Sequence, residues 1–130
     1  METVEKGKEE STEWEDPKTI ADGIRVPKAF ADKLILRAVE ESGGTAVSVT
    51  DENILQSSKE LGGKEGVFAC PECAATLAGA KKLREEGVIE RNEEVLLYNT
   101  GTGLKYNNTY AENLDIDIPV IESAEEIDVR

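Results

Sequence analysis

Histidine is absent from these 130 residues. That removes every nucleophilic triad built on an imidazole base. Cysteine occurs twice, as Cys70 and Cys73. Without histidine or a second cysteine pair, one chain cannot close a four-ligand structural zinc site, so no metal site is expected. Positive charge is scarce: 15 Lys and Arg stand against 28 Asp and Glu, a net charge of −13. A phosphate backbone would be repelled, and no nucleic-acid partner is expected. No apolar run reaches the length of a membrane span, and no basic-plus-apolar segment opens the chain. No membrane partner is therefore expected, and the expected compartment is cytoplasmic.

What is present is a nearly neutral body between acidic ends. Residues 1–16 carry a net of −5 and residues 112–130 a net of −6, which leaves −2 between them. The lead "METVEKGKEESTEWED" is too polar to pack by itself and is expected to be solvated. The length suits one domain with one modest core. The expected divisions are an acidic lead over 1–16, an α/β domain over 17–106, and an acidic extension over 107–130 that holds at most one short strand, "DIPVIES".

Punctuation along the chain places the elements. After the loop-like "DPKTIADGIRVP", Pro27 suits the first position of a helix, and "KAFADKLILRAVEES" gives that helix an apolar face through Phe30, Leu34 and Ala38. Gly43 and Gly44 stop it. "TAVSVT" (45–50) alternates apolar with small polar residues and reads as a strand. Thr50 is an N-cap for "DENILQSSKEL", with Asp51 and Glu52 in its first turn and Gly62-Gly63 closing it. "VFA" leads into Cys70-Pro71 and an alanine-rich helix whose left-handed cap falls at Gly87. "EVLLYN" (94–99) reads as a second strand. Helices are thus expected near 28–42, 51–61 and 71–86, flanking a mainly parallel sheet: an α/β fold.

Cys70 and Cys73 form "CPEC", which has two readings. One is a redox dithiol, because a helix N-terminus lowers a thiol's pKa. The other is one N-terminal thiol and one small packed residue. Lys59 reads as a solvated lysine, and no acid–base pair stands out among the many carboxylates. "YNTGTGLKY" (98–106) is a glycine-rich turn that can cradle a phosphate, cap a ring or simply turn. It lacks the third glycine of a dinucleotide fingerprint, and the polar "NNTYAEN" after it does not read as a helix.

Three stretches together resemble one family. "DPKTIADGIRVPKAFADKLILRAVEESGGTAVSVTDENIL", "FACPECAATLAGAKKLREEGVI" and "EVLLYNTGTGLKY" are similar, in order and spacing, to the C-terminal part of threonine synthases. These are pyridoxal-phosphate-dependent lyases of threonine biosynthesis, in the tryptophan-synthase-β-like group. The resemblance runs from Trp14 to Tyr106 and implies the α/β fold of a C-terminal portion of a fold-type-II enzyme. It implies that Thr100 points its hydroxyl at the pyridine nitrogen of the cofactor, with Gly101 and Gly103 letting the backbone turn beneath the ring. It also matches "TIADGI" to a segment passing over one face of that ring, with Gly23 as the contact. Related enzymes often have Glu-Pro where this chain has Cys70-Pro71, so no role for that carboxylate carries over.

The family's Schiff-base lysine and phosphate-binding loop belong to an N-terminal portion that these residues do not contain. The resemblance therefore implies roughly the last third of an enzyme, with no catalytic residue of its own and the N-terminal catalytic part as its partner. It leaves a homodimer open. Pyridoxal phosphate is expected in the whole enzyme, and none is expected to be held by this chain by itself. The runner-up reading is a non-catalytic binding or regulatory module on the same fold. Deprived of a ligand and a facing domain, residues 100–106 are expected to be mobile or exposed, and Val95 to Leu97 to be buried in the sheet.

Overall fold

The computed structural model describes residues 10–114 and Ser123. Four helices follow in order: α1 (Asp32–Ser42), α2 (Asp51–Glu65), α3 (Pro71–Glu85) and α4 (Asn107–Asn113). Short 3-10 turns lie at Asp22–Ile24 and Gly103–Tyr106. No helix among the described residues is long and apolar enough to cross a membrane. Residues 117–122 of the expected terminal strand, and residues 1–9 of the acidic lead, lie outside the described residues.

Helix boundaries follow local chemistry. The Thr50 side chain caps α2 by accepting from the Asn53 backbone N–H at 3.2 Å, which satisfies one of the unpaired donors at the helix start. The helix does not stop at Gly62-Gly63 as expected. It runs on to Glu65 and ends at Gly66, whose φ of 66° is left-handed. Two glycines weaken a helix by about 1 kcal/mol each relative to alanine. Here Glu60 holds Lys64 at 3.0 Å on the same helix and also pairs with Lys81 of α3, so the last turn is fastened to its neighbour. Pro71 opens α3, where its missing N–H costs nothing, and α3 gives way to Gly87 at a φ of 76°.

The expected α/β fold with a mainly parallel sheet is overturned. Among the described residues there is no strand, and β-pairing is limited to an isolated antiparallel bridge between Ala69 and Thr102. "TAVSVT" is extended, but it lies singly against the helices: Val49 packs on the core of Ala21, Ile54 and Ala74, and a Cβ added at Gly79 would meet the Val47 side chain at 3.1 Å. The apolar alternation therefore reports burial of one face, while a ladder also needs a neighbouring strand that no local pattern supplies. "EVLLYN" has no such cover. Val95 is 46% exposed, Leu96 78% and Tyr98 73%, so the expected burial of Val95 to Leu97 does not occur.

The core is two small clusters along the α2–α3 pair. Ala21, Ile54 and Ala74 form one, flanked by Ile20, Val49 and Ala75. Ala69, Cys70 and Cys73 form the other, flanked by Leu61 and Tyr106. α1 stands apart from both. Its first residue, Asp32, accepts from the Ser11 N–H at 3.0 Å and the Ser11 hydroxyl at 2.9 Å, and these bonds hold its carboxyl below the ordinary range. The helix expected near 28 after Pro27 begins only at Asp32, so Phe30 lies in the turn before it, and both Phe30 and Leu34 are exposed.

This distribution predicts an asymmetry in mutational cost. Ile54, 2% exposed, is the largest aliphatic side chain in the core. Ile54→Ala is expected to cost about 2–4 kcal/mol by urea denaturation. Phe30→Ser, at a fully exposed position, is expected to change stability by less than about 0.5 kcal/mol. Equal losses at the two positions would contradict this packing.

Candidate functional site

The N-terminus of α3 gathers the residues singled out by sequence. From one side comes the segment Thr19–Gly23. Its beginning is held by Asp51 at the start of α2: the Thr19 hydroxyl donates to Oδ1 at 2.6 Å and the Ile20 N–H to Oδ2 at 3.3 Å. Its end is held by Glu72 in the first turn of α3, whose Oε1 accepts the Gly23 N–H at 2.6 Å. Acids suit both helix starts, where the helix dipole favours negative charge.

From the other side comes the TG-x-G loop. The Cys70 N–H donates to the Gly101 carbonyl at 3.2 Å, and the Gly103 N–H donates to the Phe68 carbonyl at 2.8 Å. The Tyr106 hydroxyl donates to Glu72 Oε1 at 2.8 Å, the same oxygen that accepts from Gly23. Behind the loop, Tyr110 is buried and donates its hydroxyl to the Ala69 carbonyl at 2.9 Å. The expectation for residues 100–106 was a mobile or exposed loop: Thr100, Thr102, Leu104 and Lys105 are exposed, while these hydrogen bonds tie Gly101, Gly103 and Tyr106 down, and "NNTYAEN" forms helix α4 where none was expected.

Close approach explains the glycines. A Cβ at Gly103 would lie 2.5 Å from the Phe68 ring, and one at Gly23 would lie 2.8 Å from Glu72 Oε1. At Gly23 the atoms met are the flexible end of Glu72, so the glycine eases this approach without being demanded by it. Gly101 packs against the Cys70 thiol. Thr100, next in line, is exposed, and among the described residues no group bonds its hydroxyl.

Electrostatics at this junction favour a fixed scaffold over reactivity. Burial opposes the Glu72 charge. The backbone N–H groups of Glu72 and Gly23, the Cys70 thiol and the Tyr106 hydroxyl outweigh it and hold the carboxyl below its ordinary value. Burial raises the Cys70 thiol, with the neighbouring Glu72 adding to the effect, and burial likewise raises Cys73. The thiol depression expected at a helix N-terminus is thus reversed, because desolvation outweighs the dipole. Both cysteines are free and buried, which favours the packed reading of "CPEC". Among the described residues no cluster of three or more His, Cys, Asp or Glu is placed to hold a metal. A separate cavity of about 430 Å³ lies between α2 and α3 beside Ser48–Thr50, and none of Thr100, Gly101 or Gly23 lines it.

Sequence reasoning missed Glu72, Tyr106 and Asp51 as the residues that assemble this junction. Glu72 bonds partners 49 and 34 residues away, and only its place in a first turn marked it in the sequence.

The family model for pyridoxal-phosphate dependent enzymes matches residues 2–101. The chain belongs to that family. Within it, the similarity is to threonine synthases. The enzyme of Methanocaldococcus jannaschii is 45% identical over 92 residues, covering 71% of this chain and 23% of that protein. That of Methanosarcina acetivorans is 42% identical over 105 residues, covering 81% and 26%. That of Halalkalibacterium halodurans is 38% identical over 112 residues, covering 86% and 32%. The chain thus spans a quarter to a third of the length of the relatives it matches.

The Tyr106–Glu72 bond makes a titration prediction. Tyr106 is raised from 10.0 to about 12, chiefly by its hydrogen bond to Glu72, with burial and the charges of Glu72, Cys70 and Asp22 adding to it. A phenol raised in the fold contributes stability that is complete below its unfolded value and is lost as pH climbs through the folded one. Glu72 has the opposite sense: its contribution is present above its unfolded value and fades as pH falls through the folded one. Ring-proton NMR should show Tyr106 titrating near 12, and Glu72→Gln should bring it back towards 10. An unmoved titration in that variant would show that the bond does not form in solution.

Proposed function

We propose that this chain supplies the ring-nitrogen side of a threonine synthase and acts with the portion of the enzyme that carries the lysine and the phosphate loop. Bound pyridoxal phosphate provides the electron sink for converting O-phosphohomoserine and water to threonine and phosphate. The part of this chain is positioning. The Thr100 hydroxyl would meet the ring nitrogen, and unlike a carboxylate it does not force that nitrogen to stay protonated. Gly101 keeps the backbone close to Cys70 beside it, and Gly23 lines the approach to one ring face. No side chain of this chain is assigned a proton-transfer role, and the chain by itself is expected to be inactive.

The observation that supports this reading is the apolar surface left in water. Phe30 is fully exposed and Leu34 is 69% exposed around α1, while Leu96 and Tyr98 stand out on the 93–99 segment. These exposed apolar side chains, on two separate stretches, are taken as surface that another portion of the enzyme would cover. The remaining portion of the enzyme is the occupant that fits, since the relatives are three to four times the length matched here. A homodimer of this chain is the competing occupant, and a mass measurement separates the two.

The test is to co-express the chain with the complementary portion of a related threonine synthase. Phosphate release from O-phosphohomoserine is then followed in the presence of pyridoxal phosphate. The pair should turn over and the chain by itself should not. Thr100→Ala should lower kcat of the pair by roughly tenfold, the effect of losing one strong hydrogen bond. Turnover by the chain by itself, or full kcat in the Thr100→Ala pair, would refute the assignment.

A further inference from the structure

We propose that Glu72 is a positioning residue that locks the Thr19–Gly23 segment and the TG-x-G loop into one unit, so that a ring contacting one segment is felt at the other. The inference rests on the reading above for its ligand, but its mechanical part stands on geometry within this chain.

One carboxylate oxygen, Oε1 of Glu72, accepts both the Gly23 N–H at 2.6 Å and the Tyr106 hydroxyl at 2.8 Å. These donors lie on separate stretches that approach α3 from opposite directions in sequence. Two residues earlier at the same helix start, the Cys70 N–H holds the Gly101 carbonyl. The chain of contacts therefore runs from Gly23 through Glu72 to Tyr106, and along the first turn of α3 from Glu72 to Cys70 and Gly101, next to the exposed Thr100. The far end of the first segment is anchored independently by Asp51. Glu72 thus controls the end of that segment nearest the loop.

Hydrogen bonds to a charged, half-buried acceptor are stronger than neutral ones, and each N–H or O–H left without its partner pays for desolvation. Loss of Glu72 removes the acceptor from both segments at once. Gly23 leaves room for this approach: a Cβ there would sit 2.8 Å from Oε1 and push the flexible carboxylate aside. A carboxylate serving only to favour the helix dipole would need neither the glycine nor the tyrosine.

The test uses the full chain, with hydrogen exchange and amide shifts read residue by residue. Glu72→Ala should speed exchange at Gly23 and at Gly103 together by roughly tenfold relative to Ile54 in the core of α2. Glu72→Gln, whose amide oxygen still accepts but carries no charge, should recover part of the protection. In the co-expressed pair, titration with pyridoxal phosphate should move the Gly23 and Gly101 amides with one midpoint, and in the Glu72→Ala pair the two midpoints should separate. Faster exchange at Gly23 with the loop unchanged would overturn the lock, as would a uniform rise at Gly23, Gly103 and Ile54. No cofactor-induced shift in the pair would overturn the cofactor reading, and the exchange result in the chain would still decide the lock.

Discussion

The described structure depends on the N-terminus of α3. A helix start presents backbone donors with no intrahelical partner, and here they face an acid and two incoming loops. Pro71 removes one donor, the Cys70 N–H is taken by Gly101, and the Glu72 carboxylate draws in Gly23 and Tyr106. Helix dipole, backbone N–H groups and side-chain donors all favour the ionised form of Glu72. That is why its carboxyl lies below the ordinary range although burial works against it. A half-buried charge with this many donors is a fixed point. With few aliphatic residues in either core cluster, position near α3 is set by these polar contacts as much as by packing.

The parts of this arrangement that rest on neighbours in sequence were legible. Thr50 as a cap, Pro71 as a helix start, Gly43 as a stop and Gly87 as a left-handed terminus follow from side-chain chemistry within a turn or two. The sheet was not legible, because pattern alone cannot distinguish an extended segment laid on helices from a strand laid beside another. Val47 and Val49 alternate as a strand would, and they half-bury their side chains against the helices without a ladder. Helix α4 was missed for the opposite reason. "NNTYAEN" has poor helix formers, and its formation turns on the buried Tyr110, whose hydroxyl reaches Ala69 and whose ring lies 5.4 Å from that of Phe68.

The candidate residues could be named from the sequence, and the contacts that hold them could not. Gly23, Gly101 and Thr100 were found through the order and spacing of three stretches. Nothing in those stretches indicates that one carboxylate oxygen would receive Gly23 and Tyr106, because neither contact has a local signature. Cys70 shows the same limit. Its place at a helix start argues for a reactive thiol, while the packing of Ala69, Cys73 and Tyr106 around it desolvates the sulfur and reverses the effect.

The glycines of the TG-x-G loop show why structural and functional explanations need not compete. Gly103 is demanded by the Phe68 ring, and Gly101 lies against Cys70. Those contacts would exist without any ligand. Yet they also fix the backbone on which Thr100 stands, with its hydroxyl exposed. A mobile loop would have to lose its freedom when a ring arrived, at a cost of about 1–2 kcal/mol for each backbone residue ordered. A loop already bonded to Phe68 and Cys70 has lost that freedom during folding, so a hydroxyl–nitrogen contact at Thr100 could contribute more of its free energy to affinity.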